Sequence, residues 1–102
     1  MLKAFFDEAY LVPNPVVPTP DGLALRFYDG PPLAIGGELD KLAWNIIMGR
    51  NFAGIHWRSD AAAGLELGER VAIAVLREMK LTGNELFAGF NLRRFDGRRV
   101  TV

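Results

Sequence analysis

The sequence predicts a mainly α-helical fold: an antiparallel helix pair, preceded by a proline-rich arm and followed by a small C-terminal β-hairpin. Two long segments, 38–52 and 60–80, repeat apolar or small residues every three or four positions, as amphipathic helices do. The segment 10–22 holds four of the six prolines, and Asp96-Gly97 separates two short segments typical of strands. At 102 residues, the chain is expected to form a single domain, 1–102.

The N-terminal third is predicted to contain little regular structure. Residues 2–9 place apolar side chains on one face of a short helix, although a helix this short is not stable alone. Prolines lack backbone donors and favour extended conformations, so segment 10–22 is expected to wrap a surface rather than to act as a polyproline ligand. Residues 23–28 are predicted to form a short strand, and Gly36-Gly37 a flexible joint before the first helix.

The first helix, 38–52, carries an arginine on its apolar stripe. Arg50 lies four residues after Ile46 and three after Ile47, which predicts that it faces the core. A buried guanidinium needs a partner: a carboxylate, helix carbonyls or a bound oxyanion. A salt bridge to Asp60 or to a glutamate is the structural alternative to anion binding.

The second helix is expected to run from Asp60 to about Lys80. Gly54-Ile55 interrupts the first helix, and Ser59 is a candidate N-cap, which places His56 beside a helix N-terminus. Alternatively the helix begins at His56, and the four-residue spacing stacks His56 on Asp60. Either geometry lets the carboxylate reach the imidazole. Small residues at every fourth position of this helix predict a smooth strip for close packing: Gly64, Gly68 and Ala72.

The C-terminal segment is predicted to form a hairpin with a two-residue type I′ turn at Asp96-Gly97. Four arginines flank this turn and form the one local basic cluster of the sequence. Exposed strand-edge charges explain them better than nucleic-acid or phosphate binding. The four are Arg93, Arg94, Arg98 and Arg99.

Composition limits the class of function. Twelve Lys and Arg residues balance twelve Asp and Glu residues, so no global field favours nucleic acid or an anionic membrane. The absence of cysteine excludes disulfides, thiolate zinc sites and cysteine nucleophiles. No apolar segment approaches the roughly 20 residues that span a bilayer, and the acidic N-terminus is unlike a signal peptide. We expect a soluble protein without nucleic-acid or membrane partners; its location stays open.

The most informative stretch combines Arg50, the only histidine His56, and Asp60. Arginine offers a permanently charged fork for an oxyanion, histidine a nucleophile or metal ligand, and aspartate a partner that fixes the imidazole tautomer. A single histidine cannot build a zinc or iron site. The pattern therefore favours oxyanion chemistry over a conventional metal centre.

The spacing Arg-x3-Gly-x-His-x3-Asp, with Gly54 between the two basic residues, resembles the third signature motif of the vanadium-dependent haloperoxidases and of their relatives, the type 2 phosphatidic acid phosphatases. Segment 36–65 further resembles the C-terminal part of bacterial haloperoxidase-type members. The resemblance implies that Arg50 is an oxyanion clamp, that His56 is the vanadate ligand or a phosphorylated nucleophile, and that Asp60 orients it. It also implies vanadate as cofactor, phosphate as an alternative occupant, and hydrogen peroxide and a halide as reactants.

Two departures from the family qualify this expectation. The family usually has serine where this chain has Gly49, and its Lys/Arg motif and Pro-Ser-Gly-His motif do not occur in this sequence. The chain is therefore expected to be the C-terminal part of a larger helical-bundle enzyme, weak or inactive alone, whose open apolar faces favour a homo-oligomer. The alternatives are phosphomonoester hydrolysis by the same pocket and a non-catalytic helical fragment.

Overall fold

A computed structural model describes residues 1–83 and 86–102. Within these ranges the chain forms two α-helices and two separate antiparallel strand pairs, so the prediction of a mainly helical fold with a C-terminal hairpin is confirmed. The elements are β1 (Val16–Pro18), β2 (Leu25–Phe27), α1 (Ile35–Phe52), α2 (Arg58–Thr82), β3 (Asn91–Arg93) and β4 (Arg99–Thr101).

The predicted N-terminal helix is wrong beyond its first turn. Only Leu2–Ala4 is helical, as a 3-10 turn. The carboxylate of Asp7 accepts a hydrogen bond from the Ala9 amide at 2.9 Å, and the Tyr10 amide donates to the Asp7 carbonyl at 3.1 Å. A short polar side chain that hydrogen-bonds to the nearby backbone competes with helical hydrogen bonds. A segment this short forms too few helical hydrogen bonds to remain a helix.

The proline-rich arm is extended, as its composition predicts, and it is also half of a sheet. β1 pairs with β2 in the register Val16↔Phe27 and Pro18↔Leu25, which confirms the predicted strand in 23–28. The arm is attached to the segment before α1 by the Val12 amide, which donates to the Leu33 carbonyl at 2.8 Å.

α1 begins three residues earlier than predicted, and the expected joint at Gly36-Gly37 lies inside it. Gly36 is buried against the N-terminal segment, where its amide donates to the Glu8 carbonyl at 3.1 Å. A Cβ atom at Gly36 would stand 2.9 Å from the Glu8 Cβ. Glycine is therefore required here for close approach, which outweighs its low helix propensity.

The hydrophobic core lies between α2 and the C-terminal hairpin. Leu76 is completely buried and Ile73 is 8% exposed, and both pack against Leu92 of β3 and against Val102. α2 ends at Thr82, and Gly83 after it is extended (φ −67°, ψ 137°), so it does not form a left-handed cap.

The hairpin register is Leu92↔Val100 and Arg93↔Arg99, but its turn is longer than the predicted type I′. The Arg94 amide donates to the Arg98 carbonyl at 2.8 Å, which leaves three residues in the loop. Among the described loop residues only Gly97 has a positive φ, of 84°. This is the three-residue hairpin loop in which glycine adopts the left-handed conformation. A type I′ turn would require a positive φ at Asp96 as well, and this loop does not.

Much apolar surface is left uncovered. The chain exposes 7867 Å², whereas a compact monomer of 11.3 kDa would expose about 5,700 Å². Its radius of gyration is 16.9 Å, against about 13 Å for a compact domain of this length. α1 buries only Gly36. The helical faces therefore lack the packing partners of a finished core. Among the described residues, no helix combines the length and apolarity needed to cross a membrane.

Candidate functional site

The end of α1 is a Schellman motif that fixes the path from Arg50 to His56. The Ile55 amide donates to the Arg50 carbonyl at 3.2 Å, and the Gly54 amide donates to the Asn51 carbonyl at 3.0 Å. Gly54 adopts φ 72°, the left-handed conformation that glycine reaches without strain. The predicted helix break at Gly54-Ile55 is thus confirmed, with a defined geometry.

α2 begins at Arg58, and its N-cap is Trp57 rather than the predicted Ser59. The alternative start at His56 is also wrong. Asp60, at the third helical position, accepts a hydrogen bond from the Trp57 amide at 3.1 Å. This is the reciprocal half of a capping box, in which an acidic side chain reaches back to the N-cap amide. The carboxylate therefore has a structural contact as well as a position near the histidine.

The structure brings Arg50 and His56 into direct contact, with Arg50 Nη2 2.6 Å from His56 Nε2. A guanidinium can only donate, so Nε2 accepts and the proton of the neutral imidazole is on Nδ1. Nδ1 lies 3.9 Å from Asp60 Oδ2, which is too long for a hydrogen bond but close enough for electrostatic attraction. The three predicted site residues therefore form one series from guanidinium through imidazole to carboxylate.

The predicted burial of Arg50 is wrong, because its side chain is exposed at the last turn of α1. The structure pairs it with His56 and not with Asp60. Within residues 1–83 and 86–102, no carboxylate lies within 4.0 Å of its guanidinium. No member of the apolar stripe on α1 is fully buried, so periodicity alone misplaced the arginine. Its charge is available to an anion from solvent.

Large exposed apolar residues lie close to this pair in the sequence, and the sequence analysis did not single them out. Phe52 is 89% exposed, Ile55 60% and Trp57 80%. Three large apolar side chains this exposed within six residues are typical of a surface that binds another molecule. Phe52 and Ile55 lie between Arg50 and His56 in the sequence, and Trp57 directly follows His56, so their positions were the available signal.

A second polar cluster lies away from the junction between α1 and α2, the region that holds Arg50 and His56. The sequence did not predict this cluster. Lys3 Nζ lies 3.0 Å from Asp40 Oδ1 and 3.3 Å from Glu8 Oε2, with the Lys3 side chain 12% exposed. It also donates to the Arg93 carbonyl at 2.6 Å. These contacts join the N-terminus, α1 and β3 across separations of up to 90 residues, so no local pattern could reveal them.

The donor set at the junction suits an oxyanion. Among the described residues, no three His, Cys, Asp or Glu side chains cluster to hold a metal ion. Arg50 offers several N–H donors in a rigid fork, and His56 offers one nitrogen lone pair on a side chain that is 38% exposed. Such a set can bind the oxygens of a tetrahedral anion and supply one direct nitrogen ligand to its central atom.

Comparison with known proteins finds relatives of the chain, although no family model matches it. The chain is 43% identical over its whole length to a vanadium-dependent bromoperoxidase of Corallina officinalis, and 44% identical to that of Corallina pilulifera. It is 41% identical over 88% of its length to the vanadium-dependent bromoperoxidase of Ascophyllum nodosum.

The chain spans about a sixth of these relatives, 17% of each Corallina protein and 16% of the Ascophyllum protein. The similarity supports the superfamily that the Arg-x3-Gly-x-His-x3-Asp motif predicted. All three relatives are algal, so the narrower expectation of a bacterial member is not supported.

Proposed function

We propose that this chain is the vanadate-binding, C-terminal part of a vanadium-dependent haloperoxidase, a larger enzyme that oxidises halide with hydrogen peroxide. The observation that carries the proposal is the 2.6 Å contact between Arg50 Nη2 and His56 Nε2. It places a permanent positive charge and a nitrogen lone pair side by side at an exposed junction. Three relatives at 41–44% identity, all vanadium-dependent bromoperoxidases, support the same chemistry.

Each residue has a defined task in this proposal. Bound vanadate would supply the activation of hydrogen peroxide toward the halide. Arg50 would donate to its oxygens and neutralise charge, and His56 would offer Nε2 as the single protein ligand. Arg50 must first move off Nε2, which its exposed position permits. Asp60, on the Nδ1 side, favours the tautomer that leaves Nε2 free.

The uncovered faces are proposed to contact the rest of the parent protein. A Cβ atom at Gly64 or Gly68 would meet no atom within 4 Å, so the smooth strip of α2 is open. Two observations support a larger bundle that covers these faces. The chain exposes more surface than a compact monomer of its mass, and it spans only about a sixth of the length of its relatives. The other active-site motifs are proposed to belong to that larger part. Assembly into a homo-oligomer stays a prediction.

The proposal predicts saturable vanadate binding by the purified chain, measured by titration calorimetry. Arg50→Ala and His56→Ala should each weaken binding about tenfold or more, since each removes a hydrogen bond to a charged group or the direct ligand. Arg77→Ala, which removes an exposed arginine far along α2, should change the affinity less than about twofold. Binding that is unaltered in both junction variants would contradict the assignment.

A second prediction concerns activity. The isolated chain, supplied with vanadate, peroxide and bromide, should brominate a phenolic dye at rates near background. Arg50 and His56 alone position the reactants and stabilise the transition state poorly. Rapid bromination that disappears in His56→Ala would show that the segment is sufficient, contrary to this expectation. Hydrolysis of a phosphomonoester, lost in His56→Ala, would instead favour the phosphatase alternative.

A further inference from the structure

A cavity of about 790 Å³ lies between the N-terminal segment, the first turns of α1 and the C-terminal hairpin. It is separate from the junction, since neither Arg50 nor His56 lines it. Alternation along β3 and β4 turns Leu92 and Val100 toward the core and the neighbouring residues toward the cavity. The hairpin residues that line the cavity are 91–93 and 99–101, and of these Asn91, Arg93, Arg99 and Thr101 alternate with the two core residues.

The register places two arginines directly opposite each other among the residues that line the cavity. Phe90 and Val102 exchange both backbone hydrogen bonds, each at 2.9 Å, so Arg93 and Arg99 occupy a non-hydrogen-bonded pair three residues further along. At such pairs the Cα atoms are only about 4.5 Å apart. The Arg93 amide accordingly points outward and donates to Glu8 Oε1 at 2.5 Å.

The two other arginines of the basic cluster are already paired. Arg94 Nε donates to Glu69 Oε2 at 2.8 Å, and Arg98 Nε donates to Asp96 Oδ2 at 2.7 Å. The hydrogen bond from Arg98 holds the pKa of the Asp96 carboxyl below its usual range. Exposed strand-edge charge, the explanation favoured from sequence, therefore still describes Arg93 and Arg99, which are both exposed within β3 and β4.

The guanidinium groups of Arg93 and Arg99 have no carboxylate within 4.0 Å in the described part of the chain, since the Glu8 carboxylate contacts the Arg93 backbone amide. The acidic groups that share the cavity are engaged elsewhere. Asp40 and Glu8 both contact Lys3, and Asp7 accepts from a backbone amide. The cavity thus presents two guanidinium forks without a matching acceptor.

We propose that Arg93 and Arg99 form an oxyanion-binding pair that takes a phosphate- or sulfate-type group in this cavity. Like charges directly opposite in a sheet destabilise each other, and a dianion between them reverses that repulsion. Each guanidinium can donate two parallel hydrogen bonds to such a group. Thr101 Oγ1 donates to Asn91 Oδ1 at 2.6 Å, which orients the Asn91 side chain and leaves its amide N–H groups as further donors.

The test is a titration of the purified chain with inorganic phosphate, followed by two-dimensional 1H–15N NMR. Amide signals of 91–93 and 99–101 should shift in a saturable manner. Arg93→Gln and Arg99→Gln should each raise the phosphate Kd about tenfold or more. Arg98→Gln removes the same charge from the same hairpin, but from an arginine paired with Asp96, and should raise the Kd less than about twofold.

Because NMR reports on each residue separately, it distinguishes phosphate binding in the cavity from phosphate binding at Arg50 and His56. Shifts confined to 50–57 and abolished by Arg50→Ala would overturn the cavity assignment while supporting the proposed function. Hairpin shifts that persist unchanged in Arg93→Gln and Arg99→Gln would also overturn it. A parallel titration with phenyl phosphate identifies the source: tighter binding than inorganic phosphate indicates the phosphoryl group of a small molecule, and equal binding indicates the free ion.

Discussion

Replacing Leu76 by alanine is expected to lower the free energy of unfolding by about 2–5 kcal/mol. Leu76 is completely buried where α2 meets the hairpin, and its neighbours Ile73, Leu92 and Val102 form the rest of a small core. A core of this size has few alternative contacts with which to close a cavity, so the cost belongs in the upper part of the range. The measurement is urea denaturation followed by far-ultraviolet circular dichroism.

Leu67→Ala is the matched control for this experiment. It makes the same substitution in the same helix, but Leu67 is 63% exposed, so the change should be within about 1 kcal/mol. Equal losses for the two variants would contradict the location of the core. A large loss at Leu67 alone would show that the apolar surface of α2 is buried by self-association in solution.

Replacing Gly54 by alanine is expected to destabilise the chain by about 1–2 kcal/mol and to weaken vanadate binding at the junction. Gly54 holds φ 72°, and it directs the chain from the last turn of α1 to His56. Relief of the strain by a change of φ would carry the imidazole away from Arg50. The measurements are urea denaturation and vanadate calorimetry on the same preparation.

Gly64→Ala is the control, and its expected change in the free energy of unfolding has the opposite sign. Gly64 lies inside α2, and a Cβ atom at this position would meet no other atom within 4 Å. Alanine there should therefore stabilise the helix by about 0.5–1 kcal/mol, and vanadate affinity should stay unchanged. If Gly54→Ala proved as stable as the parent chain and bound vanadate equally well, the left-handed cap would not be what positions His56.

The sequence predicted the elements whose causes are local. The end of α1 follows from Gly54, which supplies the left-handed cap. The strand at 25–27 and the C-terminal hairpin follow from short apolar segments beside turn residues. The Arg50–His56 contact spans six residues, so the motif already contained most of its geometry.

What failed depended on packing between distant segments. Gly36 was predicted to lie in a flexible joint because its partner Glu8 is remote in sequence. Arg50 was predicted to be buried because nothing local shows which face of α1 meets the core. Ser59 is a better N-cap residue than Trp57 by propensity. The Asp60 carboxylate, which bonds the Trp57 amide, nevertheless places the start of α2 earlier.

The Arg50–His56 contact has a consequence for how the chain folds. It closes over six residues, whereas the core joins Ile73 to Val102 and the Lys3 cluster spans the chain. Contacts of short sequence separation require little loop-closure entropy and form early. The two groups proposed to hold the anion would therefore meet in nascent chains, before the hairpin docks. A ligand captured at that stage would act as a nucleus on which α2 and the hairpin assemble.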